Sequence, residues 1–195
     1  MFAAGTDTTH IVLKWAMTEL LRHPGVMKQV QNEVRGLAGA GKLEITKNDL
    51  EKMHYLRAVI KETLRLHPPI PLLIQREASQ DVNDIAAGTM VMINAWVVGR
   101  ATTTWDQPEE YRPERFLNSS VDFRGHDFQL IPFRAGRRGC PGISFAMAAN
   151  ELLLANLASR FDWVLPARAS GDDLDMPWYY HPHKISSSCR CNSIF

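Results

Sequence analysis

The sequence predicts an α+β fold, mainly helical, with one small β-sheet in the middle of the chain. Three observations carry that prediction. Apolar residues recur at helical spacing through the first 67 residues. The β-rich run 90–93 follows an Ala87-Gly88 turn, and a long apolar segment follows a glycine-rich loop near residue 140. With 195 residues, 45% hydrophobic, 22% charged and a net charge of +1, the composition is that of one or two ordinary globular domains. Such a charge carries no basic excess for nucleic acid.

Each element follows from local chemistry. Residues 1–22 have the Ala, Leu, Met, Trp and Val content of a buried helix that starts without a cap, which suggests a fragment of a longer chain. Pro24 suits a first helical turn and opens a second helix to Leu37, closed by Gly36, Gly39 and Gly41. Thr46-x-x-Asp49 resembles a capping box and starts a third helix, running to His67, where Pro68-Pro69 stop it. The apolar face of that helix is Leu50, Met53, Leu56, Val59, Ile60, Thr63 and Leu64. Residues 72–100 read as short strands. From Thr102 to Gln129 prolines, asparagines, serines and acids outnumber periodic apolar positions, so an ordered meander is expected. A final long helix runs from Ile143 to Phe161, and periodicity fades after Pro166.

No uncharged stretch approaches the roughly 20 apolar residues that span a bilayer. Met1-Phe-Ala-Ala-Gly5 lacks the charged and apolar regions of a signal peptide. Three cysteines, two of them in the last seven residues, argue against a disulfide framework and suit a reducing compartment. His181, His183, Cys189 and Cys191 do not have the spacing of a common structural zinc site, so a solvated, irregular tail is the reading there.

The chemistry concentrates in Ile131-Pro-Phe-Arg-Ala-Gly-Arg-Arg-Gly-Cys-Pro-Gly-Ile143. Gly136, Gly139 and Gly142 permit positive φ and close approach to a flat partner. Pro141 suits the first helical position, which sets Cys140 at the positive end of a helix beside Arg137 and Arg138. That setting favours a thiolate, and a thiolate is a metal ligand. Phe133 is placed to shield the sulfur. A lone cysteine in a tight turn is, taken by itself, most often a buried structural residue.

The spacing Phe133-x-x-Gly136-x-Arg138-x-Cys140-x-Gly142 resembles the haem-binding loop of the cytochrome P450 family. The resemblance extends over about residues 1–176 and is close to the plant-type microsomal branch, as Glu62-Thr-Leu-Arg-Leu-His-Pro-Pro69 and Arg124-Gly-His-Asp-Phe-Gln129 suggest. It implies the C-terminal part of that fold, a partial haem domain, with residues 177–195 as a divergent tail. Cys140 would be the axial ligand of haem b iron, in a loop shaped by Phe133, Gly136 and Gly142, with Arg138 and Arg76 meeting haem propionates. Glu62, Arg65 and Arg115 would form a structural cluster pinning the meander beneath the haem. Ala4-Gly-Thr-Asp-Thr-Thr9 resembles the oxygen-activation motif, with Asp7 relaying protons, Thr8 holding a hydroxyl at bound oxygen and Gly5 giving room. Pro69 to Leu73 match a substrate-facing loop, with core packing an equal alternative. Arg134, Gln75 and Ala101 depart from the family pattern, which usually has Gly or Ser, Pro, and Asp there.

By resemblance the activity is monooxygenation of a small apolar organic substrate in secondary metabolism, using dioxygen and electrons from NADPH-cytochrome P450 reductase. The full-length protein would sit on the cytosolic face of the endoplasmic reticulum membrane, its anchor and most of its substrate cap lying upstream of Met1. Two other readings stand beside this one. The first is a truncated, non-catalytic haem-binding or interaction module. The second is a haem-thiolate isomerase, against which the Asp7-Thr8 pair argues.

Overall fold

A computed structural model describes residues 2–38, 45–165, 174 and 190–193. Four helices make the body: α1 (Phe2–Arg22), α2 (Pro24–Ala38), α4 (His54–Leu66) and α6 (Ile143–Arg160). Their apolar stripes share one core, in which Val12, Leu20, Val30, Val59, Ile60 and Leu154 are at most 3% exposed. Burying each such side chain stabilises the fold by about 1.5–3 kcal/mol relative to exposure.

The single helix expected from Thr46 to His67 is two. A one-turn helix α3 (Lys47–Leu50) precedes α4, and the chain leaves helical geometry at Met53 (φ −88°, ψ 79°). The expected start signal is present, since the Asp49 carboxylate accepts from the Thr46 N–H at 2.8 Å. The break has a tertiary cause. Glu33 of α2 reaches the restarted helix and accepts from the Tyr55 and Leu56 N–H groups, both at 2.8 Å. A carboxylate at a helix N-terminus satisfies orphan donors and opposes the dipole. The predicted apolar face is buried as expected, with Met53 and Leu56 at 0%.

α4 ends at Leu66, with His67 as its C-cap and the two prolines beyond. The following segment carries a two-stranded antiparallel sheet, β1 (Arg76–Glu77) with β2 (Met90–Val91), and Leu72 bridges Asn94. Gly88 takes φ +81° in the expected turn. Where only strands were expected, a short helix α5 (Ala95–Val98) forms, because the Asn94 side chain accepts from the Val97 N–H and caps it. The meander that follows carries a 3₁₀ turn, Pro113–Phe116, packed on α4.

After α6, β3 (Phe161–Val164) pairs antiparallel with β4 (Arg190–Ser193), Trp163 standing opposite Cys191. The expectation of an irregular tail is thus corrected at residues 190–193, which gain a ladder partner in β3. His181, His183 and Cys189, like Gly39 and Gly41, lie outside the described residues. No described helix is long and apolar enough to cross a membrane.

Candidate functional site

The cysteine loop is closed by its own backbone. The Cys140 N–H donates to the Phe133 carbonyl at 3.0 Å, the Gly139 N–H to Gly136 at 2.9 Å and the Arg134 N–H to Ile131 at 3.0 Å. Residues Gly136–Arg138 form a 3₁₀ turn entered through Gly136 at φ +72°. The sulfur-bearing residue is exposed. One expectation is corrected: α6 begins at Ile143, not Pro141, because Gly142 is its N-cap and accepts the first helical bond from the Ala146 N–H at 2.9 Å. Cys140 therefore stands two residues ahead of the cap rather than at the helix start.

Neighbouring elements hold the loop in place. Phe133 is half-buried and meets Phe123 edge-on, with centroids 5.9 Å apart. Arg76 of β1 donates to the Ala135 carbonyl at 3.0 Å. Gly125 (φ +87°) lies so close that an added Cβ would stand 2.7 Å from the Arg134 carbonyl oxygen and 2.9 Å from the Ala135 Cα. Arg134 itself takes φ +68°, a left-handed conformation that favours glycine. Arg137 and Arg138 are exposed and make no ion pair among the described residues.

Glu62, Arg65 and Arg115 come together in the interior. The Arg65 guanidinium donates Nε–H to Glu62 Oε2 and Nη2–H to Oε1, both at 2.8 Å, with both residues at most 1% exposed. Arg115 Nε–H donates to the same Oε1 at 3.1 Å, and the Arg112 N–H adds a bond at 2.8 Å. The remaining guanidinium donors hold the meander backbone. Arg65 takes the Gly99, Pro108 and Glu110 carbonyls, and Arg115 takes those of Asp106 and Gln107. A buried ion pair is tolerable when every donor and lone pair is used in this way. Trp105 lies against both guanidinium groups, 5.3 Å from Arg65 and 5.9 Å from Arg115. Lys61 then grips the Val121 carbonyl at 2.8 Å, two residues before Phe123, so the cluster is linked through the meander to the cysteine loop.

Val12 and Leu13 of α1 belong to the core cluster in which Met147 is buried and against which Phe133 and Ile143 pack. Asp7 and Thr8 are half-buried one turn before Val12. Gly5 is exposed, and the Thr9 hydroxyl back-bonds to its carbonyl at 2.7 Å. The segment after the prolines is partly core and partly exposed. Leu73 is core at 2%, whereas Leu72 and Ile74 are 50% and 60% exposed.

The sequence profile of the cytochrome P450 family matches residues 1–185. The chain belongs to the cytochrome P450 family. It is 62% identical to cytochrome P450 736A117 of Prunus mume over 180 residues, covering 90% of this chain and 35% of that protein. Cytochrome P450 71A8 of Mentha piperita matches with the same identity and coverage, and norfluorocurarine oxidase of a Strychnos species is 55% identical. The chain spans about a third of the length of these curated relatives. Among solved structures, a zebra fish cytochrome P450 with progesterone superposes with a TM-score of 0.76 at 34% identity, covering 85% of this chain and 38% of that one.

Cytochromes P450 carry haem held by a cysteine thiolate. The residues present fit that group. Cys140 is exposed, a Cβ added at Gly5 or Gly136 would meet nothing within 4 Å, and Arg138 is a cation without an acidic partner among the described residues.

Sequence reasoning missed several supports. Glu33 acts on Tyr55 and Leu56 of another helix and Gly125 on the Arg134–Ala135 backbone across the loop, with no local signature beyond a lone acid and a lone glycine. His67, expected only as the end of the third helix, is the C-cap of α4 and is also buried, stacked on Trp15 and bonded to Glu19. The available signal was Glu19, a single carboxylate on the buried face of an apolar helix.

Proposed function

We propose that this segment is the haem-ligating part of a monooxygenase that inserts one oxygen atom of dioxygen into an apolar organic substrate. The observation that carries this is the exposed Cys140 in a backbone-locked glycine loop whose Phe133 packs on the same core as α1, the helix that carries Asp7 and Thr8. When bound, haem supplies dioxygen activation with electrons delivered from an NADPH-dependent reductase. The chain's own residues do the rest. Cys140 donates sulfur electron density, and the loop closure at Phe133 holds that sulfur in one place. Arg138 and Arg76 neutralise propionate charge. The Thr8 hydroxyl orients and passes a proton, and the Asp7 carboxylate receives it from solvent. Leu72 and Ile74 offer apolar contact to substrate. The fork of Arg65 on Glu62 keeps the meander, and with it the loop, from shifting.

Turnover with a reductase and NADPH, compared with turnover on an organic hydroperoxide alone, tests the reaction class. Reductase-dependent product formation that falls at least about tenfold in Asp7→Asn is expected from a lost proton relay. Rearrangement of the hydroperoxide without reductase would show an isomerase instead.

A further inference from the structure

Thr8, Val12, Trp15 and Glu19 are spaced four, three and four residues apart on α1. Eleven residues at about 100° each return to within roughly 20° of the starting direction over about 16 Å, so the four share one stripe. Val12, Trp15 and Glu19 are buried at 3%, 8% and 4%. The far end of that stripe is clamped by one residue from α4's terminus. The His67 ring lies flat on Trp15, centroids 3.8 Å apart and planes 4° from parallel, and its Nε2 is 2.9 Å from Glu19 Oε1. A helix packed only through apolar side chains can slide or turn at small cost, whereas a hydrogen bond to a buried carboxylate admits one setting.

We propose that Glu19 and His67 are positioning residues whose hydrogen bond, with Trp15 held beneath the imidazole, sets the rotation and axial register of α1 and so the placement of Asp7 and Thr8. This rests on the reading that Asp7 and Thr8 handle protons at the haem. His67 is itself fixed, since its N–H caps α4 on the Thr63 carbonyl at 2.7 Å, two residues beyond Arg65 of the buried cluster. One buried junction thereby joins the cluster that anchors the meander to the helix that carries the relay.

The junction is open to protons. A cleft of about 570 Å³ reaches it. The pair is faced by Arg22 at the end of α1, 3.1 Å from Glu19, and by His23 just beyond that helix, 3.4 Å from Glu19. Across the cleft stand Arg100, Glu109, Glu110 and Tyr111. Burial, with Arg100 and Arg22 adding to it, holds His67 below its ordinary value of 6.5, against the opposing pull of Glu19. Acid therefore favours any opening that releases the imidazole to water.

Amide hydrogen exchange tests the proposal, read at residues 5–9 and at 147–158 of α6, with and without haem. After correction for the intrinsic pH dependence, the wild-type chain should exchange roughly tenfold faster at residues 5–9 at about pH 5.5 than at about pH 7, while 147–158 stays protected. His67→Phe, which keeps the stack and loses the donor, should show that acceleration already at neutral pH and lose the pH dependence. His67→Gln, which can donate again, should recover to within about threefold of wild type. Unchanged exchange at 5–9 in a folded His67→Phe overturns the proposal. Should that variant unfold, the wild-type pH profile decides: opening at 5–9 ahead of 147–158 supports the lock, and simultaneous opening sinks it. The readout does not need haem, so a chain that takes up no haem would defeat the proposed function and leave this result standing.

Discussion

Arg65 forks onto Glu62 from three residues along the same helix, with both nitrogen–oxygen distances 2.8 Å and essentially no solvent at either side chain. Breaking one partner of such a pair leaves an uncompensated buried charge. Glu62→Gln should cost about 3–5 kcal/mol in urea unfolding, with Arg65→Lys also strongly destabilising because an ammonium cannot reproduce the planar fork. A loss below about 1 kcal/mol, the range of an exposed pair, would mean that water reaches the cluster.

Glu33 caps α4 from another helix. Glu33→Ala should lower stability by about 1–2 kcal/mol, the range of a lost N-cap. Exchange at the Tyr55 and Leu56 amides should rise more than at Ile60, deeper in α4, which separates a lost cap from general loosening. Equal acceleration along the whole helix would contradict the cap.

Gly125 and Gly136 both take positive φ, but only Gly125 faces backbone. Gly125→Ala forces the Arg134–Ala135 backbone away and should cost more than Gly136→Ala, whose price is conformational strain alone, about 1–2 kcal/mol. Thermal unfolding of the two variants side by side gives the order. The reverse order would mean that residues 124–125 do not buttress the loop.

Acid should destabilise the α1–α4 junction in two stages. The folded-state value of His67 lies below 6.5, so the unfolded chain binds more protons just under that pH and stability falls as pH drops through it. For Glu19 burial acts upward, but the His67 hydrogen bond and the charges of His67, Arg22 and His23 outweigh it and hold the carboxyl below 4.5. Its contribution is therefore lost as pH falls below 4.5. Glu151 has the opposite sign, since burial raises it despite Arg57, and its share is lost as pH rises through its folded value. His67→Phe should flatten the stability profile between about pH 6.5 and 5 and weaken the lower stage, because the hydrogen bond that holds Glu19 down is lost with the imidazole. Persistence of the upper stage in that variant would assign it to another group.

What could be read in advance was chemistry that is local in sequence. The cysteine loop, the Glu62–Arg65 spacing and the Pro68-Pro69 stop each sit within one short run, and the apolar face of α4 follows from helical period alone. What could not be read depends on partners brought together by folding. The break before α4 answers to Glu33, twenty-two residues before Tyr55. The cap residue of α5 lay inside a run that reads as strand. α6 starts after Gly142 rather than after Cys140 because Gly142 accepts the first helical bond, from the Ala146 N–H. The role of His67 was not legible because Glu19 and Trp15, which give it that role, are about fifty residues earlier on another helix.

The central claim is that Cys140 is the sulfur ligand of a haem held by this loop. The most direct measurement is the Soret band of the ferrous carbon monoxide complex after haem loading, in the wild-type chain and in Cys140→His. Strong red-shifting in the wild type, lost in Cys140→His in favour of a band typical of imidazole ligation, is the predicted result. A red-shifted band that survives the substitution, or haem bound by the wild type without that shift, would contradict it.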